Sequence, residues 1–302
     1  MDLKASYRRL RSGVKMELAL LNSKLSRLPP GVPHSLFLCL TYRCQLRCAH
    51  CRYLQPAYKT ARRKDMPLKL ALRILAGAAA AGIPRVIMFG GEPALYADLE
   101  KVIKEASALG LFAEMDTNGL KLTREKLSSL AAAGLCAFRI SLHSSSAGEH
   151  NSRQNSKSFT RIKATVNQAV KEGFLVYLSS CLSGGNNSGE NISGLAALGK
   201  KWGVHGIRFL HHVSDELSSR KTAAAIAVRI RKKGLNDYAR TCFETAGAAG
   251  CAAQQGKTVF ISPEGIVRAC PYAVKILGHG GKVPGFHGQA APRNAQMLPC
   301  SR

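Results

Sequence analysis

The feature that most constrains the fold is a regular alternation of short apolar runs and longer helical segments between residues 35 and 210. Apolar strands joined by helices are typical of a parallel sheet with helices on its outside. The apolar runs cover residues 35–40, 85–89, 112–117, 136–142, 174–180 and 206–210, and the helical segments between them cover 68–82, 95–109, 123–133, 158–172 and 191–201. Six strand–helix units are two fewer than a closed eight-fold barrel has. The pattern therefore predicts an α/β fold, an open, partial (βα)6 TIM-type barrel.

Two further regions flank this barrel. Residues 4–28 form a basic segment in which large apolar residues recur at helical spacing, so we predict an amphipathic helix. We expect this helix to pack on the main domain, with attachment to a membrane surface as the alternative. After the last strand, the sequence predicts a linker helix and then a small, irregular Cys-rich region. The expected parts are residues 1–33, 34–215 and 216–302.

The charge of the chain is strongly positive. Lysines and arginines number 44 against 18 aspartates and glutamates, which gives a formal net charge of +26. Such a field attracts polyanions, including RNA, anionic lipid and acidic peptides, although a general compositional bias gives the same number. No stretch approaches the roughly 20 apolar residues of a transmembrane helix, and no secretory signal is expected.

The ten cysteines are unevenly spread in a long chain, unlike the cysteines of small secreted disulfide scaffolds. We therefore expect a reducing, cytoplasmic environment with cysteines used as metal ligands. Three of them, Cys44, Cys48 and Cys51, directly follow the first predicted strand. Three thiolates on one loop can hold three irons of a [4Fe–4S] cluster and leave the fourth iron open. Zinc is the alternative, but His50 is cramped beside Cys51 as a fourth ligand.

A second motif, Gly90-Gly91-Glu92-Pro93, directly follows the second predicted strand. Two glycines allow the backbone to approach a ligand closely, and Pro93 fixes the turn before the next helix. The carboxylate of Glu92 can accept a hydrogen bond from an ammonium group. This motif alone is usually only a turn, but its position after a cysteine loop of this spacing is specific.

With both motifs, the sequence resembles the radical S-adenosylmethionine (radical SAM) superfamily over residues 36 to about 210. The resemblance implies that the three loop cysteines hold a [4Fe–4S] cluster with SAM at the open iron. It implies reductive cleavage of SAM to methionine and a 5′-deoxyadenosyl radical, which takes a hydrogen atom from the substrate. No residue of the chain is assigned as catalytic beyond this cofactor machinery.

The resemblance also implies positions that bind SAM. By this resemblance, the backbone of Gly90 and Gly91 and the side chain of Glu92 would hold the amino group of SAM. Arg153 is a candidate to bind the SAM carboxylate, and His50 would shield the adenine ring. At position 143 relatives often carry Asp, so the role of His143 is open. The alternative for each of these residues is a purely structural role, as a loop cap or a solvated charge. The implied SAM-binding set is Gly90, Gly91, Glu92, Pro93, Asn118, Ser141, Arg153 and His50.

The C-terminal cysteines suggest a second metal centre. Cys251 and Cys270 frame a sequence that predicts a hairpin with a Pro-Glu-Gly turn. This stretch resembles the start of a SPASM or twitch auxiliary-cluster domain, in which Cys242 and Cys300 would complete four ligands for a second [4Fe–4S] cluster. Zinc remains the alternative, and the chain is either a one-cluster form or truncated. The cysteines on predicted strands are expected to be buried small hydrophobes: Cys39, Cys136 and Cys181.

Relatives of the SPASM type act on peptides, so we expect an oxidative, maturase-type modification of a peptide or protein. A flavodoxin- or ferredoxin-type protein would donate the electron. Only 43 residues precede Cys44, so a separate leader-binding partner is expected to deliver the peptide. The alternatives are a radical SAM enzyme that modifies RNA or a small-molecule or cofactor precursor, and a non-catalytic iron–sulfur or zinc protein.

Overall fold

The computed structural model describes residues 3–24, 32–51, 64–183, 185–211, 216–241 and, apart from positions 254, 272 and 274, 252–280. These residues form a nine-stranded sheet and eight α-helices. In the described part of the chain, no helix combines the length and the hydropathy of a membrane span.

The strands are β1 (Ser35–Thr41), β2 (Arg85–Gly90), β3 (Phe112–Thr117), β4 (Ala137–Ser141), β5 (Leu175–Leu182), β6 (Gly206–His211), β7 (Ala239–Thr241), β8 (Thr258–Ile261) and β9 (Val267–Arg268). The helices are α1 (Leu3–Lys24), α2 (Leu68–Ala80), α3 (Leu99–Ala108), α4 (Arg124–Ala133), α5 (Ala147–Gln154), α6 (Phe159–Lys171), α7 (Gly189–Lys201) and α8 (Glu216–Lys232).

The sheet is parallel and open, as predicted. Its strand order is β7-β6-β5-β4-β3-β2-β1-β8-β9, so β7 and β9 form its two edges. Strands β1 to β8 pair in parallel, and only β9 runs antiparallel to its neighbour in the described sheet. The series continues beyond the six predicted strands, because β7 pairs with β6 from Ala239 to Thr241. Three residues that include an arginine carry no apolar run, which is why the sequence did not indicate this strand.

The two faces of the sheet have different environments. On the outer face, alternate residues such as Leu38 and Val86 pack under the helices in the main hydrophobic core. On the inner face, β8, β1 and β2 present apolar side chains, with Phe37, Ile87 and Phe260 in one cluster. We call this inner surface the lumen face; its other half is charged.

The cysteines that precede or lie on these strands differ in burial. Cys39 on β1 and Cys136 just before β4 are buried, as expected for small hydrophobes. Cys181 on β5 is only half-buried, so the expectation was wrong for this residue. It lies on the same side of β5 as Tyr177 and Ser179, which are also only half-buried, whereas its neighbour Leu182 faces the core.

The charged half of the lumen face lies on β3 to β6. Glu114 forms ion pairs with Arg139 and with Arg85, the latter at 3.5 Å, and Arg139 lies 3.7 Å from Asp116. Arg208 on β6 is close enough to lower the pKa of Asp116, although burial is the larger effect and raises it overall. Buried charges are tolerated when they are paired in this way. The lumen face is therefore apolar under β8–β1–β2 apart from Arg85 at the start of β2. Across β3–β6 it carries this ionic group next to a smaller apolar cluster of Phe112, Ala137 and Leu175, which lies where α1 packs.

Helix ends follow local sequence signals with two exceptions. Thr123 caps α4 by accepting a 3.2 Å hydrogen bond from the backbone N–H of Lys126, and Gly134 ends the helix with φ +100°. Helix α3 begins at Leu99 rather than at 95, because Pro93–Leu95 forms a 3-10 turn after β2. Helix α5 was not predicted, since its eight residues are short and polar and lack apolar periodicity.

Helix α1 packs across the N-terminal ends of β3, β4 and β5, on the main domain as expected. Its contacts run through small or polar residues: Ala5 and Ser12 are buried, and Arg8 lies 3.4 Å from Glu172. The large apolar residues that we expected to face the domain point to solvent instead. Those described are Leu10, Val14 and Leu18, with exposed fractions of 68%, 51% and 54%. Small residues occupy the side of α1 that faces the barrel because they allow the helix backbone to approach the barrel closely.

The C-terminal hairpin forms as predicted, and it joins the barrel sheet. Strand β8 pairs with β1 in the register Leu36 to Val259, and Gly265 takes φ +80° in the turn to β9. The turn lies near the cysteine loop, where the Tyr42 hydroxyl donates to Glu264 at 3.4 Å. Strands β7 and β8, which lie beyond residue 215 in the chain, thus extend the sheet at both sides.

Candidate functional site

The site is built where β1, β2 and β3 end, on the loops that follow them. The backbone N–H of Gly91 donates to the carbonyl of Thr41 at 2.8 Å, and that of Glu92 donates to the carbonyl of Arg43 at 2.8 Å. A Cβ atom on Gly91 would lie 2.3 Å from the Arg43 carbonyl oxygen, and one on Gly90 would lie 2.2 Å from that of Thr41. The glycines therefore allow the close approach of the cysteine loop. Their contact with SAM stays a prediction.

Glu92 is fully buried behind this turn. Its Oε1 accepts hydrogen bonds from the Thr117 hydroxyl at 2.7 Å and from the backbone N–H of Ala94 at 3.1 Å. Its Oε2 accepts a 2.8 Å hydrogen bond from the backbone N–H of Asn118. Burial raises the pKa of Glu92, while these hydrogen bonds act in the opposite direction. The carboxylate fixes the ends of β2 and β3 relative to each other, and an ammonium contact remains a prediction.

Asn118 connects the third strand to the cysteine loop. Its Oδ1 accepts from Gln45 Nε2 at 2.9 Å, and its Nδ2 donates to Cys44 Sγ at 3.8 Å. The sequence indicated Asn118 but not Gln45, which lies between the cysteines without any motif to mark it. The contact places an amide N–H on the sulfur of a predicted cluster ligand, a position from which a donor would tune an iron–sulfur centre.

The three loop cysteines lie together. Cys44 is exposed and Cys48 and Cys51 are half-buried, and the Cys51 N–H donates to the Cys48 carbonyl at 3.0 Å. Burial raises the pKa of the half-buried Cys48 to about 12, and the charges of the Cys51 and Cys44 thiols act in the same direction. Three thiols on one loop are the donor set that a [4Fe–4S] cluster with one open iron needs. A bound cationic cluster would offset the repulsion between the thiolates.

The described residues, the three loop cysteines included, contain no group of three His, Cys, Asp or Glu side chains already arranged to hold a metal ion. This bears equally on zinc and on a cluster, so zinc stays the alternative at the loop. For the second centre, Cys270 is half-buried just after β9, while Cys242, Cys251 and Cys300 lie outside the described residues. The auxiliary cluster therefore stays a prediction.

A row of three histidines lines the site beside the cysteine loop. The rings of His50 and His143 meet edge to face at 4.3 Å, and those of His143 and His150 stack at 5.7 Å. His143 Nδ1 accepts a 3.1 Å hydrogen bond from the backbone N–H of Cys181, which requires the neutral ring. Burial lowers the pKa of His143 well below its ordinary value, with smaller effects from His50, His150 and Arg153. His143 is therefore a neutral ring, and it packs against His50.

The sequence stretch that made Arg153 a candidate also contains His150, to which no role was assigned. It is fully buried, its Nδ1 accepts from the backbone N–H of His143 at 3.1 Å, and its Nε2 lies 3.1 Å from the Ser158 hydroxyl. Burial lowers its pKa to about 4. His150 thus fixes the loop that carries His143.

The remaining predicted SAM-binding residues lie around these elements. Arg153 on α5 contacts Glu149 at 3.3 Å and the Ser183 hydroxyl at 3.1 Å, and its carbonyl accepts from the Ala49 N–H at 3.1 Å. Helix α5 is thereby joined to the cysteine loop. Ser141 ends β4 in register with Ser179 of β5. Binding of SAM by Arg153, Ser141 and Pro93 stays a prediction.

A model of a protein family, described as the radical SAM superfamily, matches residues 38–198, which contain both the cysteine loop and the Gly90–Pro93 turn. The chain belongs to the radical SAM superfamily. It is accordingly a SAM-dependent iron–sulfur enzyme, and the superfamily implies a [4Fe–4S] cluster with SAM.

Curated radical SAM relatives match most of the chain. A PqqA peptide cyclase from Xanthomonas campestris pv. campestris (strain B100) is 29% identical over 274 residues, which cover 84% of this chain and 71% of the relative. One from Xanthomonas euvesicatoria pv. vesicatoria (strain 85-10) is 30% identical over 272 residues, 84% of this chain and 72% of the relative.

Solved radical SAM structures share the fold. Streptococcus suis SuiB bound to S-adenosylmethionine has a TM-score of 0.64 and 18% identity, with 83% of this chain and 63% of SuiB covered. SuiB bound to its precursor peptide SuiA has a TM-score of 0.67 at 17% identity, with 90% and 68% covered. The enzyme anSMEcpe with bound AdoMet and the Cp18Cys peptide has a TM-score of 0.66 at 14% identity, with 88% and 82% covered.

Proposed function

We propose that this radical SAM enzyme modifies a peptide or protein oxidatively, in the cytoplasm. The observation that carries the proposal is the match to PqqA peptide cyclases over 84% of the chain. SuiB and anSMEcpe, which share the fold, have been solved with peptides bound. The lumen face supports it further, because a surface with one apolar and one ionic half suits a ligand that carries both kinds of side chain.

In this proposal, Cys44, Cys48 and Cys51 hold the cluster. When bound, the cluster would supply the electron for reductive cleavage of SAM, the chemistry that provides hydrogen-atom abstraction from the substrate. The loop offers three thiols, so one iron would have no protein ligand from it. An electron donor of the flavodoxin or ferredoxin type restores the reduced state.

The chain's own residues position SAM around that site. The Gly90–Pro93 turn lies against the cysteine loop and presents its backbone to the methionine amino group. His50 covers the adenine, and the neutral ring of His143 holds His50 in place through the 4.3 Å contact. Arg153 would hold the SAM carboxylate, since a guanidinium binds such a group with two parallel hydrogen bonds. Asn118 and Ser141 would complete the set at the ends of β3 and β4.

We include a second, auxiliary [4Fe–4S] cluster that Cys242, Cys251, Cys270 and Cys300 would hold, and that would accept an electron from the substrate radical or bind the substrate. The hairpin that precedes Cys270 supports this part, since its turn approaches Tyr42 beside the cysteine loop. A separate leader-binding protein would bring the peptide. Modification of RNA is the second candidate, favoured by the net charge of +26.

Anaerobic reconstitution with iron and sulfide tests the cofactors. About eight irons per chain indicates two clusters and about four indicates one. Dithionite-dependent formation of 5′-deoxyadenosine from SAM is expected for the wild type and not for Cys48→Ala. Cys136→Ala, which changes a cysteine at the far end of the barrel, serves as the matched control. Zinc at both centres without SAM cleavage would refute the proposal.

The substrate class is tested with two probes, the PqqA peptide and bulk tRNA. Faster 5′-deoxyadenosine formation with the peptide, and loss of two hydrogen atoms from it by mass spectrometry, supports peptide modification. Binding of tRNA that falls steeply with salt, with 5′-deoxyadenosine formation raised by tRNA alone, would transfer the proposal to RNA.

A further inference from the structure

Helix α1 carries a continuous apolar surface that the fold leaves exposed. Its members are spaced four, three, four and four residues apart, so they form one ridge along the helix. We call this surface the α1 ridge: Leu3, Tyr7, Leu10, Val14 and Leu18, with exposed fractions of 84%, 67%, 68%, 51% and 54%. Large apolar side chains on a protein surface are normally scattered. Five of the seven exposed ones in the described chain lie here.

The ridge cannot turn inward, because the opposite side of α1 is fixed to the barrel. A Cβ atom on Gly173 would lie 2.1 Å from the Ala5 carbonyl oxygen, so the two backbones are in contact. Arg9 Nη2 donates to the carbonyl of Val170 at 2.9 Å, and the Tyr177 hydroxyl lies 3.1 Å from Met16 Sδ. These contacts hold the ridge facing outward.

Basic residues border the ridge. At 100° per residue, Lys4, Arg11 and Lys15 lie along one flank of it, and Glu17 is the only acidic residue of α1. An apolar ridge with a basic flank is the pattern of helices that lie in the interface of an anionic membrane. The net charge of +26 adds a long-range attraction to the same surface.

Two other occupants fit less well. A second copy of this chain would bring the same basic flank and another charge of +26 against the first, which is repulsive. A standard protein–protein interface uses about 20–30 residues a side, whereas the ridge offers five. A lipid surface needs only the apolar ridge and its cationic flank.

We infer that α1 docks the protein on anionic lipid bilayers, with the α1 ridge among the acyl chains and Lys4, Arg11 and Lys15 at the headgroups. Helix α1 lies across the N-terminal ends of the strands, whereas the cysteine loop follows the C-terminal end of β1. The docked protein keeps its cysteine loop and Gly90–Pro93 turn away from the bilayer. This inference is independent of the proposed substrate.

Sedimentation with vesicles tests the docking. The full-length protein is mixed with vesicles of 30% phosphatidylglycerol in phosphatidylcholine, or of phosphatidylcholine alone, at about 0.1 M salt. Co-sedimentation with the anionic vesicles only is expected, and Leu10→Gln/Leu18→Gln should weaken it at least tenfold. The matched control is Val228→Gln/Ile276→Gln, which alters two exposed apolar residues elsewhere and should bind like the wild type.

A second variant separates insertion from simple charge attraction. Tyr7→Trp places an indole on the ridge, and its fluorescence should shift to shorter wavelength with anionic vesicles. The natural Trp202 is buried and should not respond. Absence of wild-type binding, equal binding by the Leu10/Leu18 variant, or no shift in the fluorescence of the Tyr7→Trp variant would each overturn the inference. Conversion of a dimer to a monomer by the Leu10/Leu18 variant would instead assign the ridge to contacts between copies.

Discussion

The Oε2 atom of Glu92 accepts a 2.8 Å hydrogen bond from the backbone N–H of Asn118, and this bond fixes the end of β2 to the end of β3. Both oxygens of Glu92 face donors, so Glu92→Gln must turn an amide N–H toward one of them. We expect a loss on the order of 2 kcal/mol in the free energy of unfolding, because a buried donor loses its acceptor. Urea unfolding of the apoprotein measures it.

The control for this substitution is Glu17→Gln, on the exposed surface of α1. It should leave the urea midpoint within error of the wild type. Equal midpoints for Glu92→Gln and the wild type would show that the carboxylate does not brace the two strands.

Gly91→Ala should displace the cysteine loop. Its Cβ would lie 2.3 Å from the Arg43 carbonyl oxygen and 2.7 Å from that of Tyr42, closer than atoms approach without movement of the backbone. We expect at least a twofold loss of iron bound at the loop, measured on reconstituted protein that has been checked for folding by circular dichroism. Gly148→Ala, in α5 with no atom closer than 3.9 Å, is the control and should retain iron. Full iron retention by Gly91→Ala would contradict the packing described here.

Acid should destabilise the protein through His150. The unfolded chain binds a proton at this histidine below pH 6.5, but burial lowers its pKa in the folded protein to about 4. The contribution of the neutral His150 ring to the free energy of unfolding is therefore fully present above pH 6.5. It is lost as the pH falls toward about 4, by on the order of 3 kcal/mol. Protonation of Nδ1 would also remove the acceptor for the His143 N–H.

The measurement is urea unfolding of the apoprotein between pH 7.5 and 5. His150→Asn keeps a side-chain acceptor without titrating, so its stability should fall less over this range. Replacement of the exposed His279 by Gln should leave the wild-type slope unchanged. Identical slopes for wild type and His150→Asn would disprove the linkage.

Arg43 and Asp65 should be coupled. Arg43 Nε and Nη2 bind the two oxygens of Asp65 at 2.9 Å and 2.5 Å, and Nη2 also donates to the Leu95 carbonyl at 2.7 Å. Both side chains are more than one third exposed, so solvent weakens the pair, and a double-mutant cycle with Arg43→Gln and Asp65→Asn should give a coupling of about 0.5–1 kcal/mol. Thermal unfolding of the four proteins measures it, and additive effects would show that the pair contributes nothing.

The core of the fold could be predicted from the sequence because each predicted strand has an apolar face toward the helices, and β1 is apolar on both faces. Strand β1 is buried at all seven positions, and such runs stand out without any partner being known. Short or polar elements carry no such signal. Strand β7 forms because it pairs with β6, and helix α5 is held by contacts such as the one between His150 and His143.

Contacts between distant residues also escape the sequence. The hairpin around Gly265 was predicted from its own pattern, but its parallel pairing with β1 joins residues more than 200 positions apart. The pairing of Arg43 with Asp65, 22 positions away, follows from no local sequence pattern. For α1 the periodicity was correct, yet the side that packs was decided by Gly173, which lets the helix approach closely.

The division of the lumen face has a consequence for the orientation of a ligand. A chain bound across it would have one end at Phe37 and Phe260 and the other at Asp116, Arg139 and Arg208. Such a chain cannot be inverted end for end without exchanging its apolar and charged environments. The barrel wall would therefore set the direction of a bound chain through its own polarity, before any residue touches the reacting carbon.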